Sequence, residues 1–368
     1  MAGFPFMRQA EAFRSSLPFI LLLAVFILPC PMSAAAKPRP AIAFVHLLLP
    51  PGGEPHASPT GWIGSLDRAR DTLESLRIPT IVSSASPGNA EDLNELSEMD
   101  PEVLITTSPL LYAAACDVAK RSPNTVFFAC TDETVHDNMS GFQARTYEAH
   151  YLAGLIAGAL SEDGVIGYLA NDPYQSKASR LRNANAFTLG AQKSKAAIRV
   201  LYAPGNDPDE ELKTLIAAGA DIVDLERALP SLVERLREHS VRYVGTAGRT
   251  VDPLCLAAPE WEWSNAFGDL LTQVRFGIWR PRNVSYGIKE GVVGLSPFGP
   301  AVPETVRVRV REAKEAIRNG ASPFEGPVRD VSGSLRIAEG SVPDDATLRG
   351  MDWRVQGLEP LRLTPDGL

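Results

Sequence analysis

Metal-binding and crosslinking residues are scarce in this 368-residue chain. Its four cysteines and five histidines form no Cys-x-x-Cys, His-x-x-x-His or His-Glu pair, the spacings that commonly hold zinc. A Gly-x-Ser-x-Gly nucleophile elbow and a Gly-x-x-x-x-Gly-Lys phosphate loop are also missing from the sequence. We therefore expect no metal site, no cofactor and no enzymatic activity.

Basic residues do not outnumber acidic residues in this chain either. The formal net charge is −8, and no stripe of lysine and arginine alternates with aromatic residues. This composition argues against a nucleic-acid partner, because phosphates require a basic surface. The most basic stretch, Arg307–Arg318, is best explained as the solvated face of a helix.

Hydrophobic runs long enough to cross a membrane are absent from the sequence. The run Leu17–Leu28 has about a dozen residues, whereas a bilayer-spanning helix needs about 20. Two arginines precede it and small residues follow, which is typical of a secretory signal cleaved after Ala36. We predict a signal peptide over residues 1–36 and a periplasmic mature protein. A lipid anchor at Cys30 is the less favoured alternative, because Pro29 precedes it.

Cys116, Cys130 and Cys255 follow the predicted signal peptide. An odd number of cysteines leaves at least one thiol unpaired. Buried free thiols are the favoured interpretation. A Cys116–Cys130 disulfide is the alternative, since exported proteins meet an oxidising compartment.

Short apolar runs alternate with helical patterns in two successive arrays of similar size. The predicted strands are residues 41–49, 78–84, 103–108 and 125–131 in the first array, and 164–170, 198–204, 221–226 and 241–247 in the second. This alternation predicts an α/β fold with two lobes of parallel sheet. Ligands of such sheets bind beyond the carboxyl ends of the strands, where this chain has polar loops.

One apolar stretch begins with a polar cluster. It is "ARTYEAHYLAGLIAGAL", residues 144–160, and its body predicts a buried helix near the passage between the lobes. Arg145 and Glu148 are three residues apart, and this spacing predicts an ion pair at the start of the helix.

Five segments, spread along the chain, carry a recognisable pattern: "RTYEAHYLAG" (145–154), "GVIGYLA" (164–170), "NAFTLGA" (185–191), "VVGLSPFGPAVPE" (292–304) and "MDWRVQGLE" (351–359). In these segments the chain resembles the basic membrane protein family, the purine-nucleoside receptor type of substrate-binding protein that serves ABC importers. The resemblance covers essentially the whole mature chain. It implies a type I periplasmic-binding fold whose two Rossmann-like lobes close on one ligand. The expected layout is lobe one at 37–143 and 253–284, lobe two at 144–252 and 285–345, and a C-terminal tail at 346–368.

The resemblance also implies roles for individual residues. Family receptors hold a purine between aromatic rings and read its edge with a carboxylate. Trp62 is expected to supply one ring, Asp132 the base-reading carboxylate, and Lys289 a contact to the ligand. Trp261 and Trp263 match a Trp-x-Trp pair whose simpler role is packing between the lobes.

Other candidate positions depart from the family pattern. Asn171 and Asp172 replace an apolar or aromatic residue, so that Tyr174 alone in that loop could stack on a base. Asn206 lies where one branch has aromatic residues, and Arg249 lies where relatives often have an acid.

Polar loops complete the predicted site and leave the ligand open. Ser108, in the "TSP" loop, is a further polar candidate. The sequence predicts an exported solute-binding protein that captures a small polar ligand, a purine base or nucleoside, for an inner-membrane ABC permease. The alternative is a ligand-sensing or interaction protein of the same fold with non-purine specificity.

Overall fold

A computed structural model describes residues 40–48, 61–131, 133, 136–172, 175–245 and 252–362. The described residues belong to one compact unit. The predicted signal peptide, Cys30 and the candidate residues Asp132, Tyr174 and Arg249 lie outside the described residues. None of the helices in the described ranges is long and apolar enough to cross a membrane.

The strands are short and mostly buried. In chain order they are β1 (Ile42–Leu47), β2 (Thr80–Ala85), β3 (Val103–Thr106), β4 (Val126–Cys130), β5 (Met139–Ala144), β6 (Val165–Leu169), β7 (Arg199–Ala203), β8 (Ile222–Leu225), β9 (Arg242–Gly245), β10 (Cys255–Ala257), β11 (Pro259–Trp261), β12 (Asn283–Tyr286), β13 (Val293–Leu295), β14 (Val328–Arg329), β15 (Leu335–Ile337) and β16 (Leu358–Pro360).

The helices fill the connections between the strands. They are α1 (Trp62–Ser75), α2 (Glu91–Ser97), α3 (Tyr112–Ala119), α4 (Thr146–Leu160), α5 (Lys177–Ser194), α6 (Pro208–Ala217), α7 (Pro230–Glu238), α8 (Ser264–Arg275), α9 (Glu304–Arg318) and α10 (Asp345–Arg349), with a 3₁₀ turn at Pro109–Leu111.

Within the described residues, two parallel six-stranded sheets form the scaffold. Sheet one has the order β12-β5-β4-β3-β1-β2, and sheet two has the order β10-β9-β8-β6-β7-β16. All six residues of β1 are buried, as expected for a strand covered by helices on both faces. The predicted α/β class with two lobes of parallel sheet is confirmed. Outside the two sheets, β14 and β15 form an antiparallel pair.

Strand pairing places the lobe boundaries differently from the expected layout. β10 pairs with β9 in sheet two, although the expected second segment of lobe one begins at residue 253. β12 continues in sheet one to Tyr286, past the expected boundary at residue 284. β16 lies in the segment expected to be a tail and is the edge strand of sheet two. Hydrogen bonds to the sheet edges thus decide where each segment belongs.

The helix predicted from residues 144–160 is α4, which packs along α5. A Cβ added at Gly154 would lie 2.1 Å from the Phe187 carbonyl oxygen, and one added at Gly190 would lie 2.1 Å from that of Tyr151. Carbon and oxygen atoms cannot approach so closely, so both positions require glycine. The two helix backbones are therefore in direct contact, which explains the apolar body of α4.

The predicted ion pair at the start of α4 is wrong. Arg145 precedes the first helical residue, and its guanidinium donates to Asp345 with Nε–Oδ1 at 3.0 Å and Nη2–Oδ2 at 2.8 Å. Glu148 instead accepts a hydrogen bond from the Ile288 amide at 2.7 Å. Burial raises the pKa of Glu148 to about 7. Both side chains tie the helix start to later segments of the chain.

Among the described residues, Cys116, Cys130 and Cys255 are not joined to one another by disulfides. Cys116 and Cys130 are buried and Cys255 is half-buried. The alternative of a Cys116–Cys130 disulfide is therefore not what the structure shows.

Candidate functional site

A pocket of about 80 Å³ lies between the carboxyl ends of the two sheets. Cys130 ends β4, Gln143 and Ala144 end β5, and Gln175 follows β6. Parallel sheets bind ligands at this edge because the loops there are free to vary. The pocket is lined by Trp62, Pro109, Cys130, Thr131, Gln143, Ala144, Thr146, Gln175, Ser176, Ser179, Arg182 and Asn183.

Trp62 forms the aromatic part of the wall on the side of sheet one. Its indole Nε1 donates to the Thr107 carbonyl oxygen at 2.8 Å, which fixes the orientation of the ring. The ring packs edge to face against Trp261 and Trp263, with ring centroids 5.8 Å and 5.3 Å away. Trp263 is fully buried, so the Trp-x-Trp pair packs the scaffold and holds Trp62.

The first turns of α5 form the opposite wall. Ser176 caps this helix by accepting a hydrogen bond from the Ser179 amide at 3.1 Å. Ser179, Arg182 and Asn183 follow at spacings of three, six and seven from Ser176, which places them along one face of the helix. Arg182 is buried, donates to the Leu348 carbonyl at 3.1 Å and lies over the Tyr147 ring. The side chains of this wall are polar, and hydrogen bonds fix the positions of Ser176 and Arg182.

Gln175 is positioned by two neighbours. Its Nε2 donates to Asp172 Oδ2 at 3.1 Å, and its Oε1 accepts from Asn183 Nδ2 at 2.9 Å. Asn183 Nδ2 also lies 3.4 Å from Glu226 Oε1, at the long end of hydrogen-bond distance. The amides on this wall are thus backed by two carboxylates.

A buried polar cluster lies behind the wall on sheet two. Glu226 Oε1 accepts from the Tyr168 hydroxyl at 2.8 Å, and His150 Nδ1 lies 3.2 Å from Asp224 Oδ2. Burial raises the pKa of Glu226 to about 7, and the nearby charge of Asp172 acts in the same direction. Burial alone would lower the pKa of His150, but the charge and hydrogen bond of Asp224, together with the charges of Glu226 and Asp172, raise it above its ordinary value. Glu226 and His150 therefore each bind a proton more tightly here than they would in water.

Among the predicted site residues that the structure describes, only Trp62 lines the pocket. Ser108 is buried and caps the 3₁₀ turn by accepting from the Leu110 amide at 3.3 Å. Asn171 donates to the Arg227 carbonyl at 2.8 Å and accepts from the Arg227 amide at 2.9 Å, so it braces the end of β8. Asp172 acts on the pocket through Gln175.

Two further candidates lie away from the pocket lining. Asn206 is exposed in a loop whose amides donate to Glu211, with Asn206 N at 3.1 Å from Oε1. Lys289 is exposed in the turn after β12. Neither side chain is among the groups that line the space between the sheets.

The lining residues on α5 were missed by the sequence reasoning, which searched the loops. Their signal was the polar stripe of Ser176, Ser179 and Asn183 on a helix that opens at a strand end. Gln143 was missed because β5, "MSGFQA", has no continuous apolar run. A search for pocket residues that is confined to loops therefore misses those on helices and strands.

A second, open depression of about 360 Å³ lies among α1, β11, β13 and α9. Arg68, Lys314 and Arg318 line it together with Glu260 and Glu262. Its walls come from the segments that connect the sheets, away from the strand ends. Within the described ranges no group of three or more His, Cys, Asp and Glu side chains could hold a metal ion.

Comparisons with known proteins show that the chain is similar to ABC transporter substrate-binding proteins. The family model of PnrA-like ABC transporter substrate-binding proteins matches residues 66–217. A purine-binding protein of Brucella abortus is 28% identical over 344 residues, covering 89% of this chain and 95% of that protein. A Haloferax volcanii protein named as an ABC transporter glucose-binding protein is 28% identical over 307 residues, covering 77% and 78%.

Solved structures support the fold. An ABC transporter solute-binding protein from Conexibacter woesei superimposes with a TM-score of 0.60 at 17% identity, covering 76% of this chain and 97% of that chain. The expected type I periplasmic-binding fold is thereby confirmed.

Proposed function

Because the chain belongs to the basic membrane protein family of ABC transporter substrate-binding proteins, we propose that it binds a purine base or nucleoside in the pocket between its two sheets. A protein of this kind captures a solute and releases it unchanged to a permease. It is a binding protein and not an enzyme.

The observation that carries the proposal is the pairing of an oriented indole with hydrogen-bonding amides across one pocket. Trp62 presents an aromatic surface on one wall, and Gln175 and Asn183 present amides on the other. A flat heterocycle satisfies both walls, since its face stacks and its edge accepts and donates hydrogen bonds. Stacking adds roughly 0.5–1.5 kcal/mol beyond area burial, and an unmade buried hydrogen bond costs about 1–3 kcal/mol.

The two relatives are named for different ligands, one for purines and the other for glucose. The purine-binding relative matches a larger share of this chain, 89% against 77%. This difference in coverage supports the purine assignment.

The place of action and the partner follow from the same proposal. The expected signal peptide would deliver the mature chain to the periplasm. There, the closed, loaded form would dock on an ABC permease of the inner membrane.

Thermal unfolding in the presence of candidate ligands tests the proposal. Adenine, hypoxanthine, guanine and their nucleosides are compared with glucose, each at a concentration well above micromolar. A ligand at 100 times its Kd stabilises the folded state by about 2.7 kcal/mol, which raises Tm by roughly 5 °C. A rise in Tm with glucose, together with no rise with any purine, would refute the purine assignment.

A further inference from the structure

Carboxylates fix which way the two pocket amides point. Asp172 Oδ2 and Glu226 Oε1 accept hydrogen bonds, so the amide atom facing each of them is a nitrogen. Gln175 Oε1 then faces Asn183 Nδ2, which is also the correct donor–acceptor match at 2.9 Å. The three contacts agree with one another. Reversing either amide would bring two donors or two acceptors together.

Counting the hydrogen-bonding groups shows what is left for a ligand. An amide has two N–H donors and one carbonyl acceptor. Asn183 uses both donors on Gln175 and Glu226, and among the described residues none donates to its Oδ1. Gln175 uses one N–H on Asp172, and no described residue accepts the other. One acceptor and one donor thus remain on neighbouring side chains that line the pocket.

We propose that Asn183 Oδ1 and Gln175 Nε2 together read one edge of the ligand, an edge that carries a hydrogen-bond donor next to an acceptor. This inference rests on the ligand-binding function proposed above and specifies how the ligand is recognised. The C6–N1 edge of a purine has this pattern. In adenine the C6 amino group donates to Asn183 and N1 accepts from Gln175.

Glu226 and Asp172 act on the ligand through the amides and are positioning residues. Tyr168 strengthens the arrangement by donating to the same Glu226 oxygen that Asn183 faces, at 2.8 Å. Glu226 Oε1 therefore receives hydrogen bonds from two sides. The Asn183 amide cannot reverse without placing its carbonyl against that oxygen.

The test combines a change in the protein with a matching change in the ligand. For Asn183, the ligands are adenine and 6-methylpurine, which has a methyl group in place of the amino donor. For Gln175, they are adenine and 1-deazaadenine, in which a C–H replaces the N1 acceptor. Calorimetry gives the Kd of each for the full mature chain and for the variants Asn183→Leu and Gln175→Met.

We expect the full mature chain to prefer adenine over each analogue by about 10- to 100-fold. In Asn183→Leu the preference over 6-methylpurine falls to about 3-fold or less, and in Gln175→Met the preference over 1-deazaadenine does the same. The control Gln273→Met, on α8 outside the pocket, keeps both preferences. If Asn183→Leu does not fold, the Gln175→Met comparison decides alone, since Gln175 lies in the loop before α5.

The outcomes separate this inference from the proposed function. Equal losses of adenine and analogue binding in the variants overturn edge reading and leave purine binding intact. Cytosine carries the same donor–acceptor edge without a purine ring. Binding of cytosine without any purine, lost in both variants, supports edge reading and refutes the purine assignment. Binding of none of these heterocycles overturns both.

Discussion

Arg145 and Asp345 form a two-pronged ion pair although 200 residues separate them in the sequence. Arg145 stands at the junction of β5 and α4, and its amide also donates to the Tyr286 carbonyl at 2.7 Å. The pair therefore fastens α10 to the point where the chain leaves sheet one.

Removing one side of this pair is expected to weaken the fold. Asp345→Asn should lower the free energy of unfolding by about 1–2 kcal/mol, a value discounted because both side chains are partly exposed. Urea unfolding measures the change. Asp352→Asn, an exposed position nearby in sequence, is the matched control and should stay within about 0.5 kcal/mol of the parent protein. Equal stabilities for the two variants would contradict a role for the pair.

The contact between α4 and α5 predicts a strong effect of a single methyl group. Gly154→Ala places a carbon 2.1 Å from the Phe187 carbonyl oxygen, so the helices must separate. We expect a loss of at least about 2–3 kcal/mol in the free energy of unfolding. Gly268→Ala in α8 is the control, since its added Cβ meets nothing within 4 Å. It should raise stability by up to about 1 kcal/mol through helix propensity. Similar effects at both positions would contradict the close approach.

Glu226 predicts a pH dependence of stability. Its pKa is raised from 4.5 to about 7, so the folded state binds this proton more tightly than the unfolded state. Stability therefore falls as pH rises from about 4.5 to about 7, by on the order of 3 kcal/mol from this group. Glu226→Gln should flatten that part of the curve and leave the slope contributed by Glu148, whose pKa is also raised.

Chemical unfolding at pH 5, 6 and 7 checks this expectation. Glu95→Gln, in the exposed part of α2, serves as the control and should reproduce the parent curve. A Glu226→Gln protein with an unchanged slope would show that the carboxylate is ionised throughout the range.

Trp62 predicts a loss of ligand binding with little loss of structure. In Trp62→Leu the stacking surface disappears, and we expect affinity for adenine to fall by about 10-fold or more. Isothermal titration measures the Kd. Trp279→Leu lies outside the pocket and should bind as the parent protein does. Equal affinities for the parent protein and Trp62→Leu would show that the indole does not contact the ligand.

The fold could be predicted from sequence largely because its inner strands are continuous apolar runs. β1, β3 and β6 are of this kind, and helical patterns separate them. β5 and the edge strands β12 and β16 were missed, since "MSGFQA", "NVSY" and "LEP" carry little hydrophobic signal. Such strands are defined by the partner they pair with, which sequence periodicity does not contain.

The site was harder to predict than the fold. Polar residues at strand ends serve two purposes, and Asn171 and Ser108 turned out to satisfy backbone groups. Asn183 was overlooked because a helical asparagine gives no sign of facing a pocket until two sheets are brought together. Its orientation depends on Glu226, 43 residues later in the chain.

The positions of β12 and β16 govern the order in which the chain can finish folding. Each is the last strand of its sheet in the sequence, at Asn283–Tyr286 and Leu358–Pro360, and each covers an edge that earlier residues leave open. A chain still emerging from the ribosome therefore exposes β5 until residue 286 is available and β7 until residue 360 is. Unpaired edges invite association with other chains. The nascent protein is thus most vulnerable to aggregation during the final stage of its synthesis, when nearly all of its core residues are already present.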